Sequence, residues 1–164
     1  MKKFLLILLT LFTVTLSCKK IGGGGLCACS PVSEATFALT IKGASGVDLL
    51  NPETTGYFDI NKVQIYLKEN NTVKQISFNI NKPFTITADS KVTYYQLISY
   101  ELPRLAKSLD NTFYLKLGDD KLYELNLKVN SNSIDKLLID KKDAPKEFPN
   151  AASQPLNNIY TLQL

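Results

Sequence analysis

Three groups of residues in this chain have side chains that could do chemistry: three cysteines, a set of loop carboxylates and several strand tyrosines. The 164 residues include no His and no Trp. That excludes His-based triads, His-ligated zinc and haem, and a histidine pH switch. Asp48, Glu53 and Asp59 fall within one stretch, 43–59. Paired carboxylates can hydrolyse glycosides, and with Asn51 and loop carbonyls they could form a calcium shell. The D-x-D-x-D-G spacing of a known calcium loop is absent, and Asp, Asn and Pro also build ordinary turns. Asp59 reads as a turn or cap residue. No metal, cofactor or catalytic residue is therefore expected. Tyr66 and Tyr114 fall on the outward register of their strands, and Tyr94-Tyr95 sits in another. Exposed aromatics can stack on sugar rings or fill a partner's pocket. They can equally be cross-strand pairs or lie under a loop.

Cys18 ends an uncharged, mostly apolar run, Phe4 to Ser17, that follows Lys2 and Lys3. Fourteen residues are too few to span a bilayer, which takes roughly 20. They suit the apolar region of an export signal. The junction Val14-Thr15-Leu16-Ser17-Cys18 resembles the lipobox of bacterial lipoproteins, although that pattern prefers Leu where Thr15 stands and a small residue at Leu16. The resemblance implies cleavage after residue 17, acylation of Cys18 and stable anchoring by two or three acyl chains. Lys19 and Lys20 would add an attraction to anionic headgroups, about 1 kcal/mol each. A Lys rather than Asp after the Cys resembles the sorting rule for the outer membrane. Residues 18–34 then form a lipidated, flexible tether, because Gly22-Gly23-Gly24-Gly25 cannot hold one conformation cheaply. Cys27 and Cys29 lie at its far end and could be a small, strained disulfide, free thiols or something functional.

These groups must be carried by strands. From Ala35 the apolar period is two. Phe37-Leu39-Ile41, Val63-Ile65-Leu67, Ile76-Phe78-Ile80, Phe113-Leu115-Leu117 and Tyr123-Leu125-Leu127-Val129 each alternate with mostly polar residues. Such alternation puts one face on a core and one in water and favours antiparallel pairing. Asn70-Asn71 and Gly118-Asp119-Asp120-Lys121 read as hairpin corners. Further strands fit 91–100, 134–140 and 157–163, and Pro103 to Asp110 fits one short helical turn. The long stretches 43–59 and 141–155 read as loops, and Pro145, Pro149 and Pro155 bar a central strand from the second.

The fold class predicted is all-β: one antiparallel β-sandwich over 35–164, immunoglobulin-like or similar, with about eight short strands and at most one short helix. Losing Lys2 and Lys3 takes two charges from the net +4, and the remaining Lys form no stripe. Nucleic acid is not an expected partner.

The segment Gly46 to Ile60, D-L-L-N-P…G…D-I before Lys62, is similar to one in a group of small lipoproteins from Bacteroidota. The resemblance covers about residues 1–70 and implies location and fold only. The expected protein is a non-enzymatic structural, interaction or binding module on the outer membrane, facing either the periplasm or the medium. Its expected partners are membrane lipid and an envelope protein or glycan. A carbohydrate-binding or adhesive module using Tyr66, Tyr114 and the 43–59 loop is the second expectation, and a hydrolase using the loop carboxylates the third.

Overall fold

The computed structural model describes residues 34–69, 72–87, 90–106, 108–150 and 156–164. The expected signal, Cys18, the tether with Cys27 and Cys29, and the Asn70-Asn71 corner lie outside the described residues. The body is all-β and sandwich-like, as its alternating runs predict.

A six-stranded antiparallel sheet carries most of the alternating runs. It joins β2 (Val63–Glu69), β3 (Thr72–Ile76), β8 (Phe113–Leu117), β9 (Lys121–Asn130), β10 (Ser133–Ile139) and β11 (Lys142–Asp143) in the order β11-β10-β9-β8-β2-β3. Three devices set its corners. Gly118 adopts φ +66° at the β8–β9 turn, a region that Gly enters without a Cβ clash. Asp140 and Lys141 take positive φ at the two-residue β10–β11 turn. Asp140 Oδ1 also accepts from the Glu124 amide at 2.8 Å, which holds that corner to β9.

The second sheet has four strands. It orders β12 (Ile159–Gln163), β1 (Phe37–Lys42), β7 (Gln96–Ser99) and β4 (Asn79–Asn81) as β12-β1-β7-β4. Phe37, Leu39, Ile41 and Leu97 face the first sheet. They meet Ile65, Phe113, Leu115, Leu125 and Leu127 in the main core, each of these nine side chains 0% exposed.

The four-stranded sheet corrects the sequence reading in three places. First, β12 runs parallel to β1, pairing Ala38 with Ile159 through Lys42 with Gln163. The remaining pairs are antiparallel. Second, the run 76–80 is two strands. The chain leaves the first sheet at Ile76 and enters the second at Asn79, because Ser77 is held at the crossing. Its amide and hydroxyl donate to Glu101 Oε2 at 2.9 and 2.8 Å, and its carbonyl accepts from Ser99 Oγ at 2.7 Å. Glu101 opens the single-turn helix α1 (Glu101–Leu105), which replaces the turn expected at 103–110. The Ser77 donors, with Lys74 beside them, hold the Glu101 carboxyl below its ordinary pKa. Third, the expected strand 91–100 is divided. Its first part is β6 (Ser90–Val92), hairpin partner of β5 (Phe84–Thr87), and Tyr94-Tyr95 lies in the link to β7 rather than in a strand. Among the described residues twelve strands stand where about eight were expected.

The outer face of the four-stranded sheet is covered. Val92 and Phe84 of the β5–β6 hairpin pack with Phe148 and Leu156 against Ala38, Ile98 and Ile159. The Pro-rich stretch supplies part of that cover. Beyond β11 it runs beside β12, with Glu147 N donating to Ile159 O at 2.8 Å and Thr161 N to Pro145 O at 2.9 Å. Pro145 and Pro149 leave these contacts intact because the bonds use the carbonyl of one and the amide of Glu147. Below them, Glu147 accepts from Lys42 Nζ at 2.8 Å and from Thr161 Oγ1 at 2.6 Å, with both members of the ion pair largely buried. Lys42 Nζ also stands 3.7 Å from the Tyr94 ring centroid.

Candidate functional site

Two carboxylates of the 43–59 loop, Asp48 and Asp59, are engaged by backbone amides. Asp48 Oδ1 accepts from the Leu50 amide at 2.9 Å and Oδ2 from the Tyr95 amide at 2.7 Å, tying the loop to the entry of β7. Asp59 caps a 3-10 turn, Ile60–Lys62, by accepting from Asn61 N at 2.9 Å. Glu53 is exposed, and its amide is bound by Asn51 Oδ1 at 3.0 Å. Among the described residues no three acidic or thiol groups converge as a metal site would require. Asp48, Glu53 and Asp59 therefore form no such metal-holding group.

Tyr66 and Tyr114 do come together. They are cross-strand partners on β2 and β8, outside the six-stranded sheet, with centroids 5.3 Å apart and planes 19° from parallel. Lys68 Nζ lies over both, 4.9 Å from the Tyr114 centroid. Tyr66 is only 9% exposed, so of the two readings the cross-strand pair is the one the fold adopts. The pair presents little open ring face for stacking.

The opposite outer face holds a concavity that the sequence reading did not identify. A cavity of about 170 Å³ lies between the outside of the four-stranded sheet and its cover. Ala38, Ile98, Ile159 and Phe84 give it apolar walls. Gln96 and Asn158 line it as well, at 0% and 1% exposure. Thr36, Asn81 and the exposed Tyr100 complete the lining.

The register explains why two amides meet an apolar surface here. Gln96 pairs with Asn81 across β7 and β4, so both side chains leave the same face. Asn158 ends a 3-10 turn, Leu156–Asn158, that enters β12. Gln96 Nε2 donates to Tyr94 O, and Asn158 Oδ1 accepts from Ile134 N at 3.4 Å. These bonds fix the orientation of both amides. They leave Gln96 Oε1 and Asn158 Nδ2 buried with no hydrogen-bond partner. An unpaired buried amide group costs about 1–3 kcal/mol, so both positions carry a local cost that the surrounding fold offsets.

Neither amide stood out in the sequence. Gln96 precedes the apolar pair Leu97-Ile98 and Asn158 precedes Ile159, and only the fold sets them beside one cavity. No protein-family model, curated protein or solved structure matches the chain.

Proposed function

We propose that this protein is a non-enzymatic binding module of a bacterial cell envelope, held on the outer membrane by acyl chains on Cys18. The observation that carries the tether is the 14-residue uncharged run ending at Ser17-Cys18, with Lys19 and Lys20 following at once. The binding role is supported by the cavity on the outside of the four-stranded sheet. A non-catalytic role also suits Asp48 and Asp59, whose carboxylates are engaged by backbone amides. A carbohydrate or adhesive role is the second reading. The uncharged polar groups of that cavity favour it over the covered Tyr66–Tyr114 pair.

The test is membrane fractionation of the full chain and of Cys18→Ser. Wild-type protein should enter the membrane fraction and incorporate labelled palmitate. Cys18→Ser should do neither and stay soluble. A Cys18→Ser protein that remains membrane-bound would overturn the anchor.

A further inference from the structure

We infer that the cavity on the outside of the four-stranded sheet takes one uncharged apolar ring, about the size of benzene, carried by a free molecule or by a peptide side chain. The inference deepens the binding-module reading and rests on its binding role, not on the carbohydrate reading. Strand register makes the hollow. Ala38 of β1 stands between Ile159 of β12 and Ile98 of β7, its partners on either side. A single methyl between two branched side chains leaves space above it. Val92, Phe148 and Leu156 pack on the same cluster but do not line the cavity, so the space stays open beside Phe84 and Tyr100. Protein interiors keep few voids larger than one water, whose share of volume is roughly 30 Å³. At about 170 Å³ this hollow is several times that size.

The chemistry of the walls selects the guest. None of the lining residues is Lys, Arg, Asp or Glu. A charged group placed inside would lose its water and gain no countercharge, which is strongly unfavourable. Gln96 and Asn158 are 0% and 1% exposed, and their two unpaired atoms are closed off with them. Neither amide can therefore bond to a guest. The surface that a guest reaches belongs chiefly to Ile98 and Phe84, both half-buried, and to Tyr100, 54% exposed. A hydrocarbon ring gains there by leaving water and by packing on two aromatic residues. A sugar of similar size would lose hydrogen bonds from its hydroxyls to water. Size agrees with one ring, since an apolar cavity of roughly 150 Å³ holds benzene. The exposure of Tyr100 leaves an entrance, through which a ring attached to a larger body can enter.

The experiment is a methyl carbon-13 NMR titration of the full chain in detergent micelles with toluene, N-acetylphenylalanine amide, N-acetylalanine amide and glucose. The two ring compounds should shift the methyl groups of Ala38, Ile98 and Ile159 saturably, with Kd on the order of 1 mM. N-acetylalanine amide and glucose should leave them unmoved. Saturation by only one ring compound assigns the source, free molecule or side chain, and supports the shared chemistry. Tyr100 is exposed and its side chain makes no capping bond to α1, so Tyr100→Ser should fold and weaken binding about two- to tenfold. Ala38→Leu fills the hollow and should abolish the shifts. If Ala38→Leu fails to fold, the wild type and Tyr100→Ser decide. Toluene dissolved in the micelles is common to wild type and variants, so the difference between them reports the cavity. Saturation by neither ring compound, equal shifts with glucose, or binding unchanged in the folded variants overturns the inference. Glucose shifts elsewhere on the domain, with these methyl groups unmoved by the rings, would keep a binding module and reject this site. Loss of the Cys18 anchor in fractionation leaves the titration interpretable.

Discussion

The two sheets of this domain treat their outer faces differently. The six-stranded sheet leaves Gln64, Lys68 and Lys128 in water, and β8 reads buried and half-buried in strict alternation. The four-stranded sheet is sandwiched. Phe37 to Ile41 are buried at five consecutive positions, and Ile159 to Leu162 at four. A sheet wet on one face shows its period in the sequence, whereas a sheet covered on both has little alternation left to read. The covered sheet is also the one with the parallel pair and the cavity. Where local pattern fails, the fold has placed its most specific features.

If this contrast holds, the variants that separate the two faces fall in a definite order. The largest loss should come from the shared core. Leu115→Ala, at a fully buried position between the sheets, should cost about 2–5 kcal/mol in chemical denaturation. Val92→Ala, under the cover of the second sheet, should cost only about 1.5 kcal/mol, from two lost methyl groups.

Next comes alkaline titration. Burial, with the Asp135 charge nearby, pushes the Tyr160 hydroxyl pKa up to about 12. The unfolded value is about 10, so the folded state holds this proton more tightly. Stability from this group is intact below pH 10 and falls as the pH rises to about 12, by about 2–3 kcal/mol in all. Tyr160→Phe loses the 2.8 Å bond to Ile134 O and about 1 kcal/mol at neutral pH. It should also remove that alkaline decline. Urea melts of both proteins from pH 8 to 12 make the comparison.

The cover of the four-stranded sheet is tested by Glu147→Ala. It strands Lys42, whose side chain is only 14% exposed, beside Tyr94 and leaves Thr40 and Thr161 without their carboxylate. Breaking a fully buried pair costs about 3–5 kcal/mol, and partial exposure here brings the expected loss to about 2 kcal/mol. Hydrogen exchange should speed up in 144–148 and β12 while β8 and β9 stay protected. The smallest effect belongs to the wet face. A double-mutant cycle on Tyr66 and Tyr114 should give a coupling of about 0.5–1.5 kcal/mol.

Legibility in the sequence follows the same division. β2, β8 and β9 of the wet sheet were readable from alternation, as was β1 alone in the covered sheet, and the Gly118 turn from its residue type. The run 76–80 misleads because its apolar alternation continues smoothly through the crossing from one sheet to the other. Only the long-range grip of Glu101 on Ser77 breaks it. The Pro-rich stretch reads as loop, yet its Pro145 carbonyl and Glu147 amide bind β12. The carboxylates of 43–59 were visible as a cluster, and their destinations, the Leu50, Tyr95 and Asn61 amides, were not. Gln96 and Asn158 carried no signal at all, since an unpaired buried amide exists only once the surrounding strands have closed on it.

The most direct test of the contrast between faces is residue-resolved hydrogen exchange of the full chain in micelles, comparing wild type with Glu147→Ala. The account predicts faster exchange confined to 144–148 and β12, with β8 and β9 as protected as in wild type. Faster exchange in β8 and β9, or none in 144–148, would contradict it.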